Sequence, residues 1–255
     1  MTPEVRRMTV VSLLSLSLLM MAAPAVHAAD SKPSSKGKSA KKKSAPRGFR
    51  VGPKHKTHYE VDPDSSRNQV TFTSKAPKET IVGTTTTVTG HLDLKPRRLA
   101  KAKGRFAVQW KSLDTGHAMK NQHMQAAPWV DAAKYPEIAF TLSGIEKIKR
   151  KSKSGKSVKV HLIGTMAMNG AEKEMRIPAT LVYVKPKKSD KGKKATEGIG
   201  LRCSFTVALA DFNIKGRGVG IAVAPKQKIK VSLFVKRSEK PKDDNKKDEP
   251  SDKKS

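Results

Sequence analysis

The sequence predicts an all-β protein, an antiparallel up-and-down barrel of about eight strands with one long, helical cap loop between the third and fourth. Three observations predict it. Apolar residues recur at every second position through most of residues 59–237. The segments so marked are separated by clusters of Gly, Pro, Lys and Ser. No run of ten or more residues carries a helical apolar stripe. Alternation with polar partners suits antiparallel strands with one wet face. Closing such a meander on itself removes its exposed edges. A sandwich is the structural runner-up.

The elements follow in order. QVTFTS (69–74) is the first strand, with Val70 and Phe72 on one side. In ETIVGTTTTVTGHLDL (79–94), Val82, Thr84, Thr86, Val88, Gly90, Leu92 and Leu94 share a face. GRFAVQW aligns Phe106, Val108 and Trp110, and EIAFTLSGI aligns Ile138, Phe140 and Leu142. SVKVHLIGTMAM aligns Val158, Val160, Leu162, Met166 and Met168, and EMRIPATLVYV aligns Met175, Ile177, Leu181 and Tyr183. LRCSFTVAL places Cys203 in phase with Leu201, Phe205 and Val207, which reads the single cysteine as a small buried hydrophobe. KIKVSLFV aligns Ile229, Val231, Leu233 and Val235. LKPRRLAKAKG, RKSKSGKS and PKKSDKGKKATEG read as turns, and NGAEKE (169–174) as a tight hairpin. A barrel of this size is either filled by side chains or holds one elongated ligand. Gly90, Thr84, Thr86 and Gly164 leave volume inside, yet the glycines equally suit bulges that curve a sheet.

Outside the strands the composition changes. Residues 1–29 have a basic start (Arg6, Arg7), an apolar run and small residues before Ala28 and Ala29. This is the pattern of a signal peptide, so the protein is expected to be exported, to the periplasm or beyond it by secretion. No other segment approaches the roughly 18–20 apolar residues of a membrane span. Residues 30–58 are expected to be a basic disordered linker, 59–237 one domain, and 238–255 a disordered tail of mixed charge. The formal net charge is +31, of which about +21 belongs to the barrel segment itself. Such a surface attracts anionic membrane lipid or envelope polysaccharide. Export and the scarcity of aromatics among the lysines argue against a nucleic-acid partner.

The third strand is expected to end near Leu113 and the fourth to begin near Glu137, so residues 114–136 form the longest connection between strands, and long ordered loops are commonly lids or binding loops. AAPWVDAAKY (126–135) can form a short helix with Pro128 in its first turn. His117 and His123 stand six apart, which is not a metal-ligand spacing, and no metal site is predicted. No serine-hydrolase elbow, phosphate loop or dinucleotide fingerprint appears, and GRGVG (216–220) lacks the strand–loop–helix context of one. No catalytic residue is therefore assigned. Asp114 and His123 read as structural ties within the cap loop, and Trp129 and Tyr135 as its apolar underside.

Several pieces, taken together, resemble the bacterial YceI-like family. They are YEVDPDSSRNQVTF (59–72), SLDTG (112–116), His123 followed by Trp129 and KYPEIAF (134–140), GTMAMNGAEKEM (164–175) and ADFNI (210–214). The sequence departs from the family at Lys120-Asn121, where an Arg-Asp pair is usual, and at Asn213, where a glycine is usual. The resemblance implies a lipocalin-like barrel, not an enzyme, that binds a long apolar isoprenoid such as a polyprenyl chain or quinone and needs no other cofactor. It places that lipid against the inward residues Phe72, Val88, Phe106, Val108, Trp110, Phe140, Leu162 and Phe205, with Trp129 at the mouth. A homodimer is compatible with such a barrel. The alternative reading is a basic surface module that docks anionic lipid or polysaccharide, with the barrel as scaffold.

Overall fold

The computed structural model describes residues 48–127, 129–151, 153–185 and 196–239. The expected signal segment, the turn at 186–195 and the tail from 240 lie outside the described residues. Ten strand segments make eight staves of a closed antiparallel barrel. They are β1 (Thr57–Val61), β2 (Gln69–Lys75), β3 (Thr80–Thr85), β4 (Thr89–Lys95), β5 (Arg98–Gln109), β6 (Glu137–Arg150), β7 (Ser157–Met168), β8 (Ala171–Val184), β9 (Gly198–Ala208) and β10 (Lys226–Arg237). Neighbours in the ring run β1–β4–β5–β6–β7–β8–β9–β10, and β10 pairs back onto β1.

The first stave is broken in two. β1 pairs with the end of β10 (Val61 opposite Val235) and β2 with its middle (Gln69 opposite Ser232). In the gap, the buried Asn68 replaces the missing strand. Its Oδ1 accepts from the Phe234 N–H at 2.9 Å and its Nδ2 donates to the Asp62 carbonyl at 2.6 Å. An amide side chain can do both, as a backbone unit would.

The second stave breaks at 86–88, and the break shifts the phase. Gly83 and Thr85 are buried before it, Val88, Leu92 and Leu94 after it. Val82 and Thr84 therefore point outward, against expectation, and Val82 is 45 % exposed. A slip of one residue moves every side chain of a strand to the other face. The free edge of β3 is covered by the cap loop, where Thr84 and Asp114 exchange backbone hydrogen bonds at 2.8 and 2.9 Å.

LKPRRLAKAKG is mostly strand rather than turn. β5 starts at Arg98 and buries Leu99 and Ala102. The expected hairpin forms with two turn residues, Asn169 (φ 50°) and Gly170 (φ 72°). Positive φ at both is what a type I′ turn requires.

The linker boundary also moves. Residues 48–58, expected in the disordered arm, are ordered, and Phe49 is fully buried. The Phe49 N–H donates to the Pro96 carbonyl at 2.9 Å, and its ring lies 5.8 Å from that of Tyr183. Lysine-rich composition favours disorder, but one buried aromatic recovers roughly 1.5–3 kcal/mol, enough to hold a short segment. Phe49 seals the end of the barrel where β1 begins and β10 ends.

The cap helix forms earlier than the sequence suggested. It is α1 (Ala118–Gln125), and 126–127 and 129–135 run as turns and bends. Residues preceding a proline are pushed toward extended backbone, so Pro128 opposes a helix running through 126–127. Ala126 is already extended, while its N–H still closes the last turn on Gln122.

Candidate functional site: a half-hollow barrel

The barrel is solid at one end and hollow at the other. Tyr59, Leu94, Leu99, Val158, Leu181, Ile199 and Val235 are essentially fully buried and, with Phe49, pack the end where β1 starts. Above them lies a cavity of about 450 Å³. A single water needs only about 10–15 Å³ of such space, and small-molecule pockets of ~300–1,000 Å³ are usual. The interior is both filled and hollow, divided along the barrel axis. The two open explanations of the inward glycines are not exclusive. A Cβ on Gly164 would fall 2.2 Å from the Thr141 carbonyl oxygen, so this glycine serves close strand approach in the same wall that bounds the cavity.

All nine residues singled out from the sequence line this one cavity. Phe72 comes from β2, Val88 from the break before β4, Phe106 and Val108 from β5, Phe140 from β6, Leu162 from β7 and Phe205 from β9. Trp110 stands just past β5, and Trp129 reaches in from the cap loop. Phe72, Phe106, Phe140 and Phe205 face inward yet are only half-buried. Large apolar side chains in a filled core would be shut off from solvent, so their exposure measures the space in front of them. Met124 of α1, Ile138, Ile229 and Val231 also line the wall. Cys203 belongs to it as well, and burial pushes its thiol up to about 12, so the sulfur is a neutral, apolar part of the lining.

Two polar residues in the wall, Ser74 and Gln227, were not singled out. Their signal was present: Ser74 is in phase with Val70 and Phe72, and Gln227 with Ile229 and Val231. A polar residue on an otherwise apolar inward face is informative, since burying it unpaired is costly.

The cap loop is tied as the sequence suggested at Asp114, but not at His123. Asp114 Oδ1 accepts from the Gly116 N–H and from Asn121 Nδ2, both at 2.8 Å. Asn121 Oδ1 accepts from the Thr115 N–H at 2.9 Å and from its hydroxyl at 2.7 Å. These bonds hold the Asp114 carboxyl below its ordinary value, the Asn121 amide contributing most and the Gly116 N–H next. His123 is exposed at the cavity mouth, and its ring makes no hydrogen bond among the described residues. Asn121, in α1, does the tying expected of His123. Lys120 reaches Glu79 in the β2–β3 turn at 2.5 Å, a strap across the mouth.

Trp129 is seated by Gly216. A Cβ there would lie 2.4 Å from the indole, so the GRGVG segment supplies room for a ring, not a phosphate cradle. Tyr135 does not underlie the cavity: its ring rests on Gly170 of the β7–β8 hairpin, outside the lining. Asn213, where the family's glycine is usual, adopts the left-handed region at φ 59°, which asparagine tolerates better than most residues.

A model of the YceI-like domain matches residues 59–235. The chain belongs to the YceI-like family. It is 25 % identical over 171 residues to Protein YceI of Escherichia coli O157:H7, an alignment covering 66 % of this chain and 81 % of that protein. Among solved structures, BcnA of Burkholderia cenocepacia superposes with a TM-score of 0.53 at 19 % identity, covering 68 % of this chain and 98 % of that one. A polyisoprenoid binding domain from Saccharophagus degradans gives 0.52 at 12 % identity, covering 72 % of this chain and 100 % of that one. The closed eight-stave barrel is thus the lipocalin-like fold of the YceI-like family. The matched region opens at Tyr59, whose hydroxyl donates to Glu197 at 2.9 Å inside the sealed end, and burial there raises the phenol's pKa far above its ordinary value.

Among the described residues no cluster of His, Cys, Asp and Glu could hold a metal ion. No helix among them is long and apolar enough to cross a membrane.

Proposed function

We propose that this YceI-like barrel binds a long apolar lipid of the isoprenoid or quinone class and carries it outside the cytoplasm, in the periplasm. The observation that carries the reading is the set of inward, half-buried aromatic rings facing the 450 Å³ cavity. Hydrocarbon entering it gains roughly 0.8 kcal/mol for each buried CH₂, and no polar code is needed for that gain. The polyisoprenoid-binding relative from Saccharophagus degradans, which shares the fold, agrees with this choice of lipid. Binding, not catalysis, suits a wall with a neutral thiol and a histidine that no second group orients among the described residues. The N-terminal segment, with its signal-like pattern, supports export. Mass spectrometry of an organic extract of the purified protein is expected to find an apolar lipid near one per chain. Repeated absence of lipid, together with no uptake of added polyprenyl compounds, overturns the reading. Amino-terminal sequencing of protein from the periplasmic fraction checks the location and is expected to begin near residue 30.

A second reading is favoured by one feature of the outer surface. A groove across the outside of the sheet is lined by Lys147, Lys149, Lys159, His161, Arg202 and Lys230, with no carboxylate in its lining. Lys149 stands directly opposite Lys159 on the neighbouring strand, and like charges so paired repel until an anion lies between them. This face suits anionic lipid or polysaccharide, and it does not compete with the cavity. Binding to anionic vesicles that weakens with salt is expected. Salt-independent binding, or none, overturns this second reading.

A further inference from the structure

Two polar atoms in the cavity wall are buried and have no hydrogen-bond partner among the described residues: the indole Nε1 of Trp110 and the side-chain Oε1 of Gln227. Trp110 is 6 % exposed and Gln227 7 %. Buried polar groups are nearly always paired, so two orphans in the lining of one cavity call for a partner. The orientation of the Gln227 amide is not arbitrary. Its Nε2 donates to the Ala224 carbonyl at 2.6 Å and to Ser74 Oγ at 3.2 Å, and the Ala224 N–H donates to that same hydroxyl at 2.8 Å. A carbonyl only accepts, so the nitrogen must face Ala224 and the oxygen must turn away from it. Gln227 opens β10, Ser74 closes β2 and Trp110 follows β5, so all three sit at the capped end of the barrel. The rest of the lining toward the packed floor, including Leu181, Leu201 and Leu233, is hydrocarbon.

The two orphans are of opposite kind: the indole only donates and the amide oxygen only accepts. A ligand whose polar end holds carbonyl or ether oxygens alone would satisfy Trp110 and leave Gln227 unpaired. A hydroxyl supplies what each lacks. We propose that the lipid in this cavity has a hydroxyl-bearing polar end, donating to Gln227 Oε1 and offering an oxygen to Trp110 Nε1 beneath the cap, with its hydrocarbon directed at the packed floor. This rests on the lipid-binding reading above.

The test compares three probes on the full-length protein: geranylgeraniol, its methyl ether and the parent hydrocarbon, each displacing a fluorescent apolar dye. The alcohol is expected to bind about tenfold more tightly than the ether, since the ether leaves a buried acceptor unpaired. Gln227→Met is expected to erase that gap. Trp110→Phe is expected to weaken alcohol and ether alike relative to the hydrocarbon. Equal affinity of the unaltered protein for alcohol and ether overturns the proposal and leaves lipid binding standing. Failure of all three probes to bind overturns the lipid-binding reading and this proposal with it. The alcohol–ether comparison needs no variant, so it decides the matter even if Gln227→Met fails to fold.

Discussion

The indole of Trp129 lies flat against the α-carbon of Gly216, with no room between them for a methyl group. This contact fixes the cap loop's principal ring over the cavity mouth. Gly216→Val must displace the ring, because the obstruction is the body of the indole and not the end of a flexible chain. The chain has two tryptophans, so in a Trp110→Phe background the emission reports Trp129 alone. Gly216→Val in that background is expected to red-shift the emission, marking a ring moved toward water. An unchanged spectrum would mean that the loop is seated by other contacts.

Acid should loosen the same loop. The Asp114 carboxyl titrates below its ordinary 3.8, held down by Asn121 and the Gly116 N–H. A depressed folded-state pKa contributes stability that is complete above the unfolded value and lost as pH falls through the folded one. Hydrogen exchange of amides 113–126, corrected for intrinsic rates, is expected to be uniform from pH 7 to about 4 and to accelerate below it. Asn121→Ala should show the loosened loop already at neutral pH.

Phe49 is expected to count as core despite its place in a lysine-rich arm. Phe49→Ala removes a fully buried ring packed on Tyr183 and should cost about 3–5 kcal/mol. In urea unfolding this appears as a lower midpoint with an unchanged slope. A loss under about 1 kcal/mol would place the segment outside the cooperative fold.

The strap from Lys120 to Glu79 should act on rates more than on stability. Both side chains are more than a third exposed, and such pairs contribute about 0–1 kcal/mol. Lys120→Ala is therefore expected to leave the unfolding midpoint nearly unchanged while speeding release of a bound polyprenyl probe. High salt should reproduce the effect in the unaltered protein. Equal release rates would show that the strap does not gate the mouth.

The strands were legible because inward residues repeat every two positions, and the nine wall residues were legible for the same reason. Val82 and Thr84 were misplaced because a four-threonine run hides the point where the phase shifts: threonine suits either face of a sheet. Phe49 was missed because one aromatic among lysines carries no period. The cap helix was placed too late because AMKNQHMQ has no fully buried side chain and so shows no apolar stripe to read. Ser74 and Gln227 were visible as polar residues in an apolar phase, but their consequence needs the third dimension, where one hydroxyl ties two strands and turns an amide oxygen inward.

Among the described residues the packed floor closes one end of the barrel and makes it a vessel that opens at the capped end. A pipe can receive cargo from one partner and pass it through to another on the far side. On the carrier reading proposed above, donor and acceptor approach the same face, the one carrying Trp129 and the strap, and they do so in turn. On that reading delivery is a reversal of loading, and its direction is set by the relative affinities of the two partners for the lipid.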